Sequence, residues 1–135
     1  MSGPRRTPAR PSGWPPPVEA SFGGERVPLA PLAEEVARRH LEHHPDDVER
    51  YGDLAAQWAV HDMQHVLAWA FGESSGFVDL GRQVGWLAGV LDARGYPLAN
   101  LADCLVDAAD VVDGRVPEAA GVAGRLREVA ADVRP

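Results

Sequence analysis

The stretch that most limits what this chain can fold into is Tyr51 to Phe71, YGDLAAQWAVHDMQHVLAWAF. Wound as an α-helix it is apolar on two opposite sides. One side carries Ala56, Val60, Met63, Leu67, Ala70 and Phe71. The other carries Tyr51, Trp58, Asp62, His65 and Trp69 in a narrow row, with Gln57, His61 and Gln64 on the flank between them. A helix that is apolar on both sides is buried on both sides. The stretch therefore predicts the central helix of an all-α bundle. It also places ionisable groups among aromatic rings, where they need partners.

The flanking chain supplies the other helices. Pro31 to about His43 has an inward stripe of Leu32, Ala33, Val36, Ala37 and His40, with Pro45 as its stop. Asp46 or Asp47 caps the next helix, which the pattern runs unbroken to Phe71 or Gly72. A third helix covers about Asp79 to Ala93 on Leu80, Val84, Leu87 and Leu91. A fourth covers about Pro97 to Val112 on Leu98, Leu101, Ala102, Leu105, Ala109 and Val112. A fifth covers about Pro117 to Val133 on Val122, Leu126, Val129 and Val133. Gly81, Gly85 and Gly89 recur every four residues in the third helix, each at about 1 kcal/mol relative to alanine. That spacing predicts a close helix contact, within the chain or with a second copy. No alternating strand pattern or hairpin signal stands out. The fold class is a compact bundle of about five helices around a long central helix. Residues 29–135 form the single domain, and residues 1–28, rich in Pro, Gly, Ser and Arg, form a flexible arm. Trp14-Pro15-Pro16-Pro17 in that arm reads as local polyproline II, either a strap or docking motif or a solvated tail.

Charge excludes some partners. The formal net charge is -7 and the pI about 5.1, with all basic side-chain charge on arginine and no lysine or isoleucine. Such a body argues against nucleic acid, whose phosphates need clustered cations. The bias toward Ala, Gly, Pro, Val, Asp and Arg points to a bacterium with a GC-rich genome. The single cysteine, Cys104, rules out an intrachain disulfide and suits a cytoplasmic protein. No apolar run of transmembrane length and no secretory h-region occurs, so no membrane partner is expected.

Several clusters compete as sites. His61 and His65 are spaced i, i+4 and Asp62 and His65 i, i+3, so His61, Asp62 and His65 are candidate ligands for a divalent metal. A working site needs further ligands, from His40 or His44, or from Asp107 or Asp110. The run LAAQWAVHDMQH has some likeness to the core helix of HD-domain phosphohydrolases, over about a dozen residues, with Gln64 where that helix carries a small residue. The likeness implies a metal-dependent hydrolase completed by an earlier histidine, His40 or His44, and a later aspartate, Asp107 or Asp110. Di-iron bundles, zinc proteases, haem attachment, P-loops, dinucleotide folds and serine elbows find no matching pattern. Tyr51, Trp58, Asp62, His65, Trp69 and Trp86 are instead candidates to line a ligand or cofactor pocket, against the plainer alternative that they fill the core. His40, His43 and His44 suit either a metal or a helix C-terminus. Asp103, Asp107 and Asp110 form either a cation-binding row or, more ordinarily, a solvated face. The expected function is a non-enzymatic binding or regulatory module that meets a protein partner or a small molecule, with a homo-oligomer left open. The alternative is the metal-dependent hydrolase.

Overall fold

The computed structural model describes residues 10–11 and 15–135. Trp14 and the first nine residues of the arm lie outside the described residues. Within them the chain forms a two-stranded hairpin and six α-helices: β1 Glu19–Phe22, β2 Glu25–Pro28, α1 Leu29–His43, α2 Pro45–Tyr51, α3 Ala55–Ser74, α4 Leu80–Ala93, α5 Leu98–Arg115 and α6 Ala120–Val133. Five of the helices have fourteen residues or more, and α2 is a short addition of seven. The all-α bundle is as expected.

The hairpin corrects the expected arm boundary. Glu19 to Phe22 pairs antiparallel with Glu25 to Pro28, Glu19 opposite Pro28 and Phe22 opposite Glu25. The turn is Gly23-Gly24, with φ of 59° and 82°, the positive values that a tight hairpin turn demands and glycine supplies. Val27 is buried, and Phe22 packs edge-on against Phe71 with ring centroids 5.9 Å apart. The Leu29 amide donates to the Val18 carbonyl at 3.0 Å, tying the entry of the hairpin to the start of α1. A Gly-Gly pair between short runs holding Ala20, Phe22 and Val27 was the available signal.

The expected long helix is interrupted. Its first part is α2, which ends at Gly52 with φ 61° and ψ −139°, a conformation open essentially to glycine alone. A 3-10 turn over Gly52–Leu54 leads into α3. Helical periodicity cannot see a one-residue break between two helices. The break separates α2 from α3 and takes Asp47 and Tyr51 out of the helical register of α3.

α3 is nevertheless the centre. Met63, Val66, Leu67, Ala70 and Phe71 are buried in one core with Leu32 and Val36 of α1, Leu80 and Val84 of α4, Leu101, Leu105 and Val112 of α5, and Val122 and Leu126 of α6. Burying a side chain of this size gains about 1.5–3 kcal/mol, so this core is the main holding force. Between α3 and α4, Glu73 accepts from the Leu80 amide at 2.6 Å and from Arg125 Nε at 2.7 Å. The Asp79 side chain caps α4 by accepting from the Arg82 amide.

α4 departs from expectation on its other face. A Cβ added at Gly85 or Gly89 would meet nothing within 4 Å, and only Gly81 is approached, by Arg125 Nη2 at 3.2 Å. At Gly85 and Gly89 the glycine stripe thus faces outward, with no close helix contact among the described residues. The helix buries Leu80, Val84 and Leu87, whose transfer from water outweighs any preference of the glycines, and this leaves Trp86 64 % exposed.

Candidate functional site

Three groups of polar and aromatic residues are built on this frame. The first is a buried hub at the α1–α2 corner. Pro45 starts α2 one residue after α1 ends, and folds Asp47 back beneath His40. His40 Nε2 donates to Asp47 Oδ2 at 2.7 Å, and the Tyr96 hydroxyl donates to the same oxygen at 2.5 Å. Asn100 Nδ2 and Arg50 Nη1 donate to Asp47 Oδ1, each at 3.0 Å. Asn100 also reaches Asp46 at 2.8 Å. Asp47 is only 4 % exposed. Burial pushes its carboxyl pKa up, but the hydrogen bonds from His40, Tyr96 and Asn100 outweigh burial and hold it below the ordinary carboxylate value. Burial, reinforced by the Asp47 charge, drives the Tyr96 hydroxyl far up. A carboxylate with four donors and no exposed face is a structural anchor, since no substrate can reach a lone pair.

The second group joins α1 to α5. His43 Nδ1 donates to the buried Asp107 at 3.1 Å, and His44 Nε2 to Asp103 at 2.8 Å. Arg134 also binds Asp103, at 2.6 Å, and its hydrogen bond is the main reason that the Asp103 carboxyl lies below its ordinary value. Asp110 binds Arg127 at 2.8 Å. Of the acid row of α5, only Asp107 is buried, while Asp103 is partly exposed and Asp110 lies on the solvated face. His43 and His44 are partners of Asp107 and Asp103, because α1 packs along α5. Cys104 is buried beside them, its thiol pKa raised well above normal chiefly by burial, which leaves it unreactive.

The third group is the aromatic face of α3. Trp58, His61, His65 and Trp69 form a ladder of rings, with successive centroids 5.6, 4.9 and 6.0 Å apart. Asp62 accepts from His61 Nδ1 at 3.1 Å and is half-buried. Burial raises its carboxyl pKa, opposed by that hydrogen bond. Burial lowers the His65 pKa, helped by the neighbouring His61 charge. Two members of the expected pocket are elsewhere. Tyr51, displaced by the break at Gly52, stacks on Tyr96 at 6.1 Å, and Trp86 points to solvent. His61, Asp62 and His65 are adjacent but do not converge. Among the described residues no group of three or more His, Cys, Asp or Glu side chains gathers to hold a metal ion. His40 and His44, the histidines that the hydrolase reading needs, are committed to Asp47 and Asp103.

Beside the ladder an apolar groove runs between α1 and α3. Its open part, about 520 Å³, is lined by Ala37, Leu41, Ala56 and Val60, with Glu34, Arg38 and Glu42 on the rim. Glu34, Ala56 and Val60 continue into a second depression that also includes Gln57, His61 and Gln64, and there Pro11 and Pro16 of the N-terminal segment form part of the wall. Gln64, 8 % exposed, donates from Nε2 to the Pro17 carbonyl at 2.9 Å. The described part of the arm thus reaches the bundle. Gln64 was overlooked in the sequence because it sits on the flank of the helix, where a glutamine reads as solvated. No helix among the described residues is long and apolar enough to cross a membrane.

Comparison with protein-family models, curated proteins and solved structures finds no match to this chain.

Proposed function

We propose that the protein is a bacterial, cytoplasmic, non-enzymatic binding or regulatory module that meets a protein partner through the groove between α1 and α3 and the aromatic face beside it. The observation that carries this reading is the contrast between the polar clusters and the groove. His40, His43 and His44 are each bound to a carboxylate, whereas Leu41, Ala56 and Val60 leave an apolar surface open over the buried Ala37, next to half-buried aromatic rings. Open apolar surface rimmed by charge is the usual composition of a docking site. The lone buried cysteine and the acidic charge support a reducing compartment and a partner other than nucleic acid.

A photo-crosslinking amino acid at position Val60, compared with one at the exposed Glu118 remote from the groove, tests the reading in cells of a GC-rich bacterium. A discrete adduct from position 60 alone is the expected result. The reading falls if position 60 gives no adduct while the protein, purified without a metal-affinity tag, carries stoichiometric metal and hydrolyses phosphoesters in a manner abolished by His61→Ala.

A further inference from the structure

We infer that two copies of this chain join through the free edge of β1, antiparallel and edge to edge, into one four-stranded sheet with a two-fold axis at Ala20. The inference is independent of the groove. The hairpin itself fixes which backbone groups are available. A two-residue turn makes Phe22 and Glu25 a hydrogen-bonded pair. The next such pairs are Ala20 with Val27 and Val18 with Leu29, and the bond from the Leu29 amide to the Val18 carbonyl at 3.0 Å follows this alternation. Glu19 and Ser21 therefore turn their N–H and C=O groups away from β2, and neither has a backbone partner on that side among the described residues. The outward residues of β2 are Arg26 and Pro28, and Pro28 has no N–H to give. One edge of the hairpin is thus blunted by proline, as edges commonly are, and the other is not.

The β1 edge also has fixed ends. Pro17, the outward residue before Glu19, lacks an N–H, and its carbonyl accepts from Gln64 Nε2 at 2.9 Å. Gly23, beyond Phe22, begins the turn with φ 59°. The window is Val18 to Phe22, and a second β1 centred on Ala20 fills it. Each Glu19 N–H then donates to the Ser21 carbonyl of the other copy, and each Ser21 N–H to the Glu19 carbonyl, as in an ordinary antiparallel ladder. The side chains suit the same register. On the outer face Glu19 comes opposite Ser21 of the other copy, so no like charges meet. On the inner face Ala20 meets Ala20 at the axis, and Val18 meets Phe22. Val18 is 72 % exposed in the single chain, and this pairing covers it. A strand from an unrelated protein satisfies the backbone groups but has no reason to reproduce the match of Val18 to Phe22 and of Glu19 to Ser21. The contact is isologous, and the blunted β2 edges stop growth at two copies. Five residues a side, against about 20–30 in a standard interface, make the association weak and reversible.

Sedimentation equilibrium of the full chain, from about 10 μM to about 1 mM, spans the affinities expected of so small a contact. Wild type should rise from the mass of one copy toward that of two. Ser21→Glu sets a glutamate pair on each side of the axis and should move the midpoint at least about tenfold to higher concentration. Within its own hairpin the new carboxylate lies opposite Arg26, so β1 itself is not loosened. Adding Glu19→Arg to Ser21→Glu turns both repulsions into attractions and should restore the wild-type midpoint. Val18→Lys, at an exposed position outside the core, should weaken association to a similar degree. Circular dichroism melting curves establish that each variant is folded. The inference is overturned if wild type stays monomeric to about 1 mM, which leaves the edge to a strand of another protein. It is equally overturned if Ser21→Glu or Val18→Lys associates as wild type does, or if Glu19→Arg fails to rescue Ser21→Glu.

Discussion

Asp47→Ala removes the acceptor at the centre of the buried hub, and the structure allows its effect to be worked through donor by donor. Arg50 is one third exposed and returns to water at little cost. Asn100 keeps its bond to Asp46. His40 Nε2 and the Tyr96 hydroxyl lose the carboxylate and keep only each other, 3.2 Å apart, so one of their two protons is left without an acceptor, and His40 Nδ1 already has no hydrogen-bond partner among the described residues. The stranded donor costs about 1–3 kcal/mol, and the lost charge-assisted bonds add to it. One water entering the space of the lost carboxylate recovers part of this, so the expected loss is about 3 kcal/mol. In a chain of this length that corresponds to a fall in Tm of about 10 °C, read by far-UV circular dichroism at pH 7. The pH dependence has a definite sign. The Asp47 pKa is lower folded than unfolded. Its contribution is therefore complete above the unfolded value, about 3.9, and is lost as pH falls through the lower folded value. The gap between wild type and Asp47→Ala should be widest at pH 7 and narrow progressively below about pH 4. A loss under about 1 kcal/mol at pH 7, or a gap that stays constant down to pH 3, would refute the account of Asp47 as an ionised anchor.

The other expectations concern backbone and charge. Gly52→Ala should lose about 1–3 kcal/mol in urea titration, all of it from the φ of 61°, since a Cβ there meets nothing. Gly89→Ala, in an open helical position, should gain up to about 1 kcal/mol; a loss accompanied by a smaller particle in light scattering would instead reveal a contact between copies through α4. Asp62→Asn should raise Tm at pH 7 or leave it unchanged. The folded-state pKa of Asp62 is raised, so the stability that its protonated form contributes is present at low pH and lost as pH rises through the folded value. The difference from wild type should therefore shrink toward pH 4, and a marked fall in Tm at pH 7 would show that the bond to His61 matters more than burial.

The helices themselves were legible because their apolar stripes repeat at 3.6 residues. The faces of α1, α5 and α6 follow the predicted residues closely, and Met63, Leu67, Ala70 and Phe71 form the core side of α3 as read. The misreadings have a common cause, in that each depended on what another element brings. Asp103 and Asp107 of α5 look solvated until the end of α1 lays His44 and His43 along them, whereas Asp110 is exposed as read. The glycines of α4 look like a contact until Leu80, Val84 and Leu87 claim the buried side. Tyr51 belongs to the α3 row only if Gly52 is helical, and one torsion decides that it is not. Asp47 could be read as a helix cap, but its partners Tyr96 and Asn100 lie 49 and 53 residues away, with no local pattern to announce them. Gly23-Gly24 was a local signal, hidden by a proline-rich arm that suggested no structure at all.

The wide sequence spacing of the Asp47 partners also bears on the order of assembly. α5 and α6 are neighbours in the chain and can zip together early, as local pairs do. The hub closes only when α1, α2 and the start of α5 have all arrived, so it is a late lock. An interaction made after the folding barrier leaves the folding rate almost untouched and sets how slowly the native state opens. The same carboxylate that anchors the corner thus governs the lifetime of the folded chain, and loosening it should show itself as faster unfolding at an unchanged rate of refolding.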